Sequence, residues 1–567
     1  VAQPDSVAVA QLDPPTAVRA LTLALLLMGG VGCANNTQRT IDAGGGDAVD
    51  GISFEAPATC TRNTVCDGDL VRSCEKGQTG PGPVIEECAD GQVCNLGRCT
   101  SPACKVAERE ASLVGCLFYT AQLDNVDSDD AQPTMILVTN PGDSPATVSI
   151  ETRAAGQSAW ILSADTSSPI TLGPGAAGTF SLSDSHLEGS GKGARLARRV
   201  SSDMPITVMA LQSDDATADA SSSAGTLVLP AHVLGTDYMA ITYKQVNTAK
   251  VMEVAGSRGG AGEIGIVATQ DGTHVTVTAS ATAPLGFAAE APGPVSLTLD
   301  DGDLYQLFSA GEGEDLSGST IAADKPIAVF SGNISTTYGY NVDGISSADM
   351  ASEQMMPIAA WSSRYVAARL MPSSGTCDLT FGTPGSGLWR ILASVDETRV
   401  DFTTSTGMTN CGLDSLASLA RGEVADLHIS CAIDFLITAN HPIYVIQAMD
   451  CEATLSSAVP TGTPLQDFLF ALPPNFEHEL VVVRQNGAPV SFDGQLMTET
   501  FEPADQGFEV ADKTIPPCFG TVAQCLSVHR LTGAFGATLR GMDVVTAYAV
   551  TAPTWSQCMD TLGCIIP

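Results

Sequence analysis

The sequence predicts an all-β chain of tandem β-sandwich-like repeats, preceded by a small disulfide-rich module. Three observations carry that prediction. Only 16% of the residues are charged while glycine alone supplies 55 of 567, a balance that favours strands and turns over charged helices. A phrase then recurs: Ser202-Asp203-Met204-Pro205-Ile206-Thr207-Val208, Asp324-Lys325-Pro326-Ile327-Ala328-Val329-Phe330 and Ala439-Asn440-His441-Pro442-Ile443-Tyr444-Val445. Its prolines stand at 205, 326 and 442, so the repeating unit is about 120 residues long. Gly541-Met542-Asp543-Val544-Val545 reads as a weaker fourth copy without the proline. Finally, there are 17 cysteines, a number of thiols that suits an exported, oxidised protein and not a reducing cytosol.

The charge balance narrows the partners. The net charge of −37 comes from 63 acidic against 26 basic side chains. Such a surface repels phosphate backbones, so nucleic acid is excluded as a favoured partner. The acidity itself reads as a solvated surface that keeps the chain soluble.

Residues 1–32 read as a signal segment. Arg19 precedes the apolar run Ala20 to Gly32, ALTLALLLMGGVG, which is too short to span a bilayer comfortably. Cys33 follows at once. A short apolar run ending in small residues before Cys resembles the lipobox of bacterial lipoproteins, which implies lipidation of Cys33 and uses the odd cysteine. Gly30 departs from that pattern, where Leu is preferred. Residues 1–17 carry Asp5 and Asp13 and no base, which does not suit an n-region, so Val18 is a candidate start. Residues 33–58, with GGGDAVDG, have no apolar periodicity and read as a flexible tether.

The module spans residues 59–104. Cys60, Cys66, Cys74, Cys88, Cys94 and Cys99 fall among glycines and prolines with few large apolar residues. Burial cannot hold such a stretch, and three disulfides, each worth about 2–4 kcal/mol, would staple it. All 15 connectivities of six cysteines stay open. Zinc is disfavoured because no C-x-x-C pair occurs. Cys104 and Cys116 lie just beyond and are candidates for a tie to the next domain.

Four β units are expected in the body, at 110–228, 229–355, 356–471 and 472–555, before a tail at 556–567 that holds Cys558 and Cys564. Each unit reads as a hairpin, then a leucine strand broken by glycine, then a second hairpin at the proline phrase. The first hairpins turn at Asn140–Asp143, Asp271-Gly272, Asp396-Glu397 and Asn486-Gly487. Leu229-Pro230, Met356-Pro357 and Leu472-Pro473 read as the joints between units. Five to seven strands per unit is the arithmetic of a sandwich, whereas a propeller blade needs about 40–45 residues. A toroidal or propeller-like closure is the alternative.

Cys431 and Cys451 lie at equal distances from His441, so a hairpin there would set them opposite each other for a disulfide. The rival pairing joins Cys411 to Cys431 and Cys377 to Cys451. Cys518 and Cys525 complete the disulfide candidates.

A set of phrases resembles the bacterial form of the IgG-Fc-binding-protein N-terminal domain family. They are Leu229-Pro230…Leu234-Gly235…Tyr238, Ile266-Val267-Ala268…Gly272-Thr273…Val275, Asp315-Leu316…Gly318-Ser319…Ile321…Lys325-Pro326-Ile327-Ala328-Val329-Phe330, and Glu353-Gln354…Pro357…Trp361…Tyr365. The resemblance covers about residues 116–552 and implies extracellular binding or adhesion, often in myxobacterial-type surface lipoproteins. Ser346–Ser352, where the pattern has a His, carries none.

No catalytic signature stands beside it. The seven histidines form no H-x-H or H-E-x-x-H pair, and neither a G-x-S-x-G elbow nor a phosphate loop occurs. Asp124, Asp127, Asp129 and Asp130 form the densest acidic cluster and are the only calcium candidates; the EF-hand glycine and distal Glu are missing. No cofactor is otherwise implied. The sequence therefore points to a lipid-anchored, exported surface protein, at the outer membrane or cell surface, that binds a glycan, glycoprotein or cell surface through loops and is not an enzyme. A secreted hydrolase with paired carboxylates, or a structural envelope or matrix component, are the alternatives.

Overall fold

A computed structural model describes residues 62–552 apart from 75–81, 110–111, 126–132, 155, 158, 165, 184, 213–223, 248–258, 281–293, 337–348, 371–386, 406–414, 430–432, 449–453 and 543–546. Contacts divide the chain into Val1–Ile52, which lies outside the described residues, and Ser53–Pro567. Cys33, the residue expected to be lipidated, and the expected tether as far as Ile52 fall in the first.

The small module comes first. β1 (Thr64–Asp67), β2 (Leu70–Ser73) and β3 (Val84–Glu87) form a three-stranded sheet, and β4 (Val93–Asn95) pairs with β5 (Arg98–Thr100). Disulfides join Cys66 to Cys94 and Cys88 to Cys99. Cys74 is also disulfide-bonded. α1 (Pro102–Ala107) follows, its first turn capped by Ser101, whose Oγ accepts from the Cys104 amide at 3.1 Å. The Cys104–Cys116 disulfide then ties α1 to the first strand of the body.

The first sandwich contains β6 (Gly115–Thr120), β7 (Thr134–Thr139), β8 (Ala146–Thr152), β9 (Ile161–Leu162), β10 (Ile170–Leu172), β11 (Ala177–Leu182), β12 (Gly191–Gly193), β13 (Arg198–Gln212) and β14 (Ala224–Val228). β7 and β8 flank the turn at Asn140–Asp143 but do not pair. β8 pairs with the first half of β13, and β7 with its second half. β13 is one strand that leaves one sheet and enters the other, with a register shift between Ser201 and Ile206, around Pro205. One sheet is thus β6-β13-β8-β10 and the other β14-β13-β7-β11. β12 pairs with a strand of the next sandwich, through Lys192 and Tyr305.

The second sandwich repeats the plan with β15 (Asp237–Met239), β16 (Gly262–Ala268), β17 (Thr273–Thr278), β18 (Val295–Leu299), β19 (Leu304–Phe308), β20 (Thr320–Ala323), β21 (Ile327–Thr336) and β22 (Asp349–Gln354). The sheets are β15-β20-β17-β18 and β19-β16-β21-β22. The third uses β23 (Ser362–Ala367), β24 (Gly387–Ala393), β25 (Thr398–Thr403), β26 (Leu416–Leu419), β27 (Val424–Ile429), β28 (Phe435–Ala448) and β29 (Leu455–Ser457). There β28 is the long strand, pairing β23 and β25 with its first half and β24 and β29 with its second. A short β30 (Val459–Pro460) pairs with β23. The fourth uses β31 (Leu465–Leu472), β32 (Glu477–Gln485), β33 (Val490–Phe492), β34 (Gln495–Leu496), β35 (Glu502–Asp505), β36 (Phe508–Ile515), α2 (Val522–Cys525), β37 (Ser527–Met542) and β38 (Ala547–Ala552). A disulfide joins Cys518 to Cys525.

This topology corrects the expected hairpins. The turns at Asn140–Asp143, Asp271-Gly272, Asp396-Glu397 and Asn486-Gly487 each pass the chain from one sheet of a sandwich to the other. The proline phrases are corners, not hairpins. Proline lacks the ladder's N–H donor, so it suits the bend where a strand exchanges partners. In the second sandwich the corner at Pro326 breaks the strand into β20 and β21, which lie in different sheets. A buried tyrosine holds it: the Tyr238 hydroxyl donates to Ile327 O at 2.8 Å and accepts from the Gly235 amide at 2.9 Å. The third sandwich repeats the device, with Tyr365 donating to Ile443 O at 2.7 Å and accepting from the Ser362 amide at 3.0 Å. The supposed fourth copy at Gly541 is a true hairpin end, where Met542 pairs with Ala547. The corner of β37 lies instead near Gly533, at φ +126°.

Two further expectations change. β31, placed with the third unit, pairs with β37 of the fourth, so Val459-Pro460 is the joint there and Leu472-Pro473 lies inside the last sandwich. The halves of β28 do not pair with each other, so the argument that set Cys431 opposite Cys451 loses its basis. Both cysteines lie outside the described residues, as do Cys60, Cys377, Cys411, Cys558 and Cys564.

Burial separates two kinds of sheet. β7, β16, β21 and β22 are buried at every position, whereas β8, β17 and β25 alternate buried and open residues. The first two sandwiches therefore have an inner sheet whose central strands are covered on both faces and an outer sheet with one face toward solvent, whereas in the fourth β32 and β36 keep open positions. One apolar cluster runs without a break from Leu113 through Ile266, Phe330, Tyr444 and Phe470 to Leu539, joining residues of all four sandwiches.

Candidate functional site

The last inner strand of each sandwich leads to a common point. β14 packs against β22 and β38, and β29 packs against the same two. The circuit 14–22–29–38 is closed, so the sandwich is the unit and a four-membered ring is how the units assemble. Thr139 and Thr207 of the first sandwich both donate to Leu469 O of the fourth, at 3.0 and 3.3 Å. An apolar cavity of about 20 Å³ lies there, lined by Leu137, Met209, Phe468, Phe470 and Leu539 among others.

A second cavity of about 20 Å³ lies where the four strands meet. It is lined by Thr226 from β14, Glu353 and Gln354 from β22, Ser457 from β29, Thr551 from β38 and Tyr444 from β28. Ser457 Oγ lies 3.0 Å from Glu353 Oε2 and 2.7 Å from the Tyr444 hydroxyl. Thr551 Oγ1 donates to Ser457 O at 2.6 Å and lies 2.7 Å from Ser456 Oγ. Gln354 bridges back to the first sandwich: its backbone N–H donates to Thr226 Oγ1 at 2.8 Å and its side-chain Oε1 accepts from the Leu229 backbone N–H at 2.7 Å. Burial pushes the Glu353 carboxyl up to about 8, against a smaller opposing effect of its hydrogen bonds to Ser457. Burial also raises the Tyr444 phenol, and the Glu353 charge adds to it. Trp361 stacks on Tyr444 with ring centroids 5.3 Å apart.

Ion pairs occupy the joints around this hub. Arg390 in β24, 4% exposed, reaches Asp315 Oδ2 and Asp426 Oδ1 at 2.7 Å each. It also donates to Thr242 O and to Ser317 Oγ, and lies over the Tyr243 ring. Burial alone would raise the Asp315 carboxyl, but the Arg390 charge and hydrogen bonds outweigh it and hold the group below its ordinary value. At the joint of the first two sandwiches, Arg153 grips Asp271 with two nitrogens at 2.6 and 2.9 Å. Trp160 Nε1 donates to Asp301 Oδ2 at 2.7 Å. The small module docks on this corner, where the Asn63 amide meets Gln270 Oε1 at 2.7 Å.

The first member of the acidic cluster named as a calcium candidate lies inside the protein. Asp124 is fully buried, and its Oδ2 accepts from the Gly189 amide at 2.7 Å. Asp127, Asp129 and Asp130 lie outside the described residues. No group of three metal-ligating side chains occurs among the described residues. Of the three cavities described, one holds a carboxylate, Glu353, and holds it alone. His478 is buried and its imidazole pushed down to about 4 by that burial, with Nε2 3.0 Å from Pro473 O.

Sequence reasoning passed over Glu353, Arg390 and Arg153 as site residues. For Arg390 the signal was present, a lone ionisable residue inside an apolar run, Leu388-Trp389-Arg390-Ile391-Leu392. Such a residue must find a partner or neutralise. Glu353, in a strand with Asp349, and Arg153, just past β8 and two residues from Glu151, carry no such local signal.

A family described as IgGFc binding protein matches residues 224–541, the span from the start of β14 into β37. A human protein, IgGFc-binding protein, is 27% identical over 332 residues, which is 58% of this chain and 5% of that protein. The chain therefore spans a small part of that relative's length. A solved pilus adhesin, SpaC from Lactobacillus rhamnosus GG in an open conformation, aligns over 76% of this chain and 57% of its own at 9% identity, with a TM-score of 0.10, too low to carry an argument. With more than half of its residues matched, including the corner phrase, the tyrosine that holds it and the Glu353-Gln354 pair, the chain belongs to the IgGFc-binding protein family.

Proposed function

We propose that this is an exported binding protein, anchored to an outer membrane or cell surface by lipid on Cys33, that recognises a glycan or glycoprotein through loops on the ring of sandwiches. The family match over residues 224–541 carries the reading. The name of the human relative says that it binds the Fc part of immunoglobulin; for this chain that supports an extracellular protein or glycoprotein as partner, not that particular one. Disulfides in the module and at Cys518–Cys525 support an oxidising compartment. Recognition without covalent chemistry is supported by the ionisable groups themselves. Buried Arg153 and Arg390 are paired across joints, and Glu353 stands without a second carboxylate in the described lining of its cavity.

Binding of the full chain to arrayed glycans and to a panel of extracellular glycoproteins tests the reading. Saturable binding that survives denaturation of the glycoprotein but not its deglycosylation is expected. Hydrolysis of an arrayed glycan, or no saturable binding at all, overturns it. Mass spectrometry of the mature N-terminus tests the anchor: a diacylglyceryl-modified Cys33 as first residue is expected, and an unmodified Cys33 in the secreted chain contradicts it.

A further inference from the structure

The hub where the four inner strands meet is polar and, among the described residues, carries no cationic side chain: no Lys, Arg or His lines it. The titratable group facing Glu353 is Tyr444, with Tyr365 behind it; a phenol is neutral until it ionises and anionic afterwards, so neither can supply a countercharge to the carboxylate. From β14 comes the Thr226 hydroxyl, from β29 the Ser457 hydroxyl, and from β38 the Thr551 hydroxyl. Asp349, at the far end of β22, is the other acid on that strand. Gln354 Nε2 is buried and has no hydrogen-bond partner among the described residues. The cavity it lines, of about 20 Å³, admits one water.

A buried carboxylate with no cation nearby is costly, and the group neutralises itself instead. Hydroxyls tolerate a protonated carboxyl, since each can turn to donate or accept. We propose that Glu353 is a proton-binding site at the ring centre, and that the four sandwiches close around its protonated, neutral form with one water on Gln354. The ring is then tighter in mildly acidic surroundings and loosens toward alkaline ones.

The sign follows from linkage. The folded chain holds a proton on Glu353 that the unfolded chain releases above about pH 4.5, and keeps it until about pH 8. Stability from this group is complete below the lower value and is lost as pH rises through the upper one. Many other carboxylates titrate too, so the comparison with Glu353→Gln isolates this site. Gln has the shape of the protonated acid and cannot ionise.

The test is thermal unfolding of the full chain, with disulfides intact, for wild type and E353Q from pH 5 to pH 9. The wild-type midpoint is expected to fall relative to E353Q across pH 5–8, the folded-to-unfolded ratio dropping by up to about tenfold per pH unit against the variant. Parallel curves for the two proteins overturn the proposal. Ser457→Ala removes the hydroxyl that favours the ionised form, so its decline relative to the S457A/E353Q double variant should extend to higher pH; a decline that ends at lower pH counts against the assignment. A protonated-carboxyl infrared band that persists from pH 7 to pH 7.5 in the wild type and is lost or weakened by one carboxyl in E353Q is expected whether or not unfolding is reversible; Asp301 and Asp434, raised by burial only to about 6, contribute equally to both proteins. If wild-type stability at pH 8 instead depends on potassium or sodium at constant ionic strength, a metal cation and not a proton neutralises the site, and the proposal fails.

Discussion

Replacing Arg390 with alanine is expected to destabilise the chain by roughly 3–5 kcal/mol. The guanidinium is buried at the joint of the second and third sandwiches, between Asp315 and Asp426. Removing it leaves Asp315, 15% exposed at its side chain, as a buried charge without its counterion, while Asp426 at 38% recovers much of its hydration. Thr242 O and Ser317 Oγ also lose a donor. The cost comes mainly from the stranded Asp315, so R390A combined with Asp315→Asn should recover part of the loss. Lysine restores a charge but not the fork that reaches two carboxylates, and should lie between. Denaturant titration measures all three. A loss under about 1 kcal/mol for R390A, the range of an exposed ion pair, would contradict the geometry.

A comparable effect is expected at a residue with no side chain. In β21, a Cβ on Gly332 would stand 1.6 Å from Ala351 O and 2.6 Å from its carbonyl carbon. Both belong to the backbone of β22, so no rotamer relieves the clash and the strand must move. β22 also carries Glu353 and Gln354, so the hub moves with it. Gly332→Ala should therefore cost about 3 kcal/mol and shift the environment of Trp361, which stacks on Tyr444 beside Glu353. Gly311→Ala is the control, because nothing lies within 4 Å of its would-be Cβ; it should stay within about 0.5 kcal/mol of wild type. Equal effects of the two substitutions would contradict the close approach of β21 and β22.

Much of the fold was legible in the residues. Scarce charge, abundant glycine and short apolar runs gave strands, and the prolines at 205, 326 and 442 marked the same place in three sandwiches. What they marked was not legible. A proline after Asp-Lys or Asn-His serves a hairpin and a corner equally well; the difference lies in which strands pair on either side. β13 and β28 each exchange partners along their length, and pairings of that separation leave no local trace. The fourth sandwich makes its corner near Gly533 without proline, so the proline-free phrase at Gly541 marks a different place from the other three.

The hub was less legible still. Its members come from Thr226, Glu353, Ser457 and Thr551, and only ring closure brings them together. Arg390 was readable as an anomaly in an apolar strand, but Asp315 and Asp426 are ordinary-looking acids in a chain that has 63. Acidity conceals the few carboxylates that hold the joints.

Ring closure is the central claim, and the contact between the first and fourth sandwiches tests it most directly. Phe468 and Phe470 of β31 stack with centroids 5.3 Å apart and line the cavity shared with Thr207, Val208 and Met209 of β13. Hydrogen exchange should be measured in the full chain and in the variant with Phe468→Ala and Phe470→Ala. The account predicts faster exchange in the fourth sandwich and also in Thr207–Leu211 and Ala224–Val228 of the first, with the outer strand β17 unchanged. Faster exchange confined to the fourth sandwich would mean that the units form an open string, and would contradict the ring.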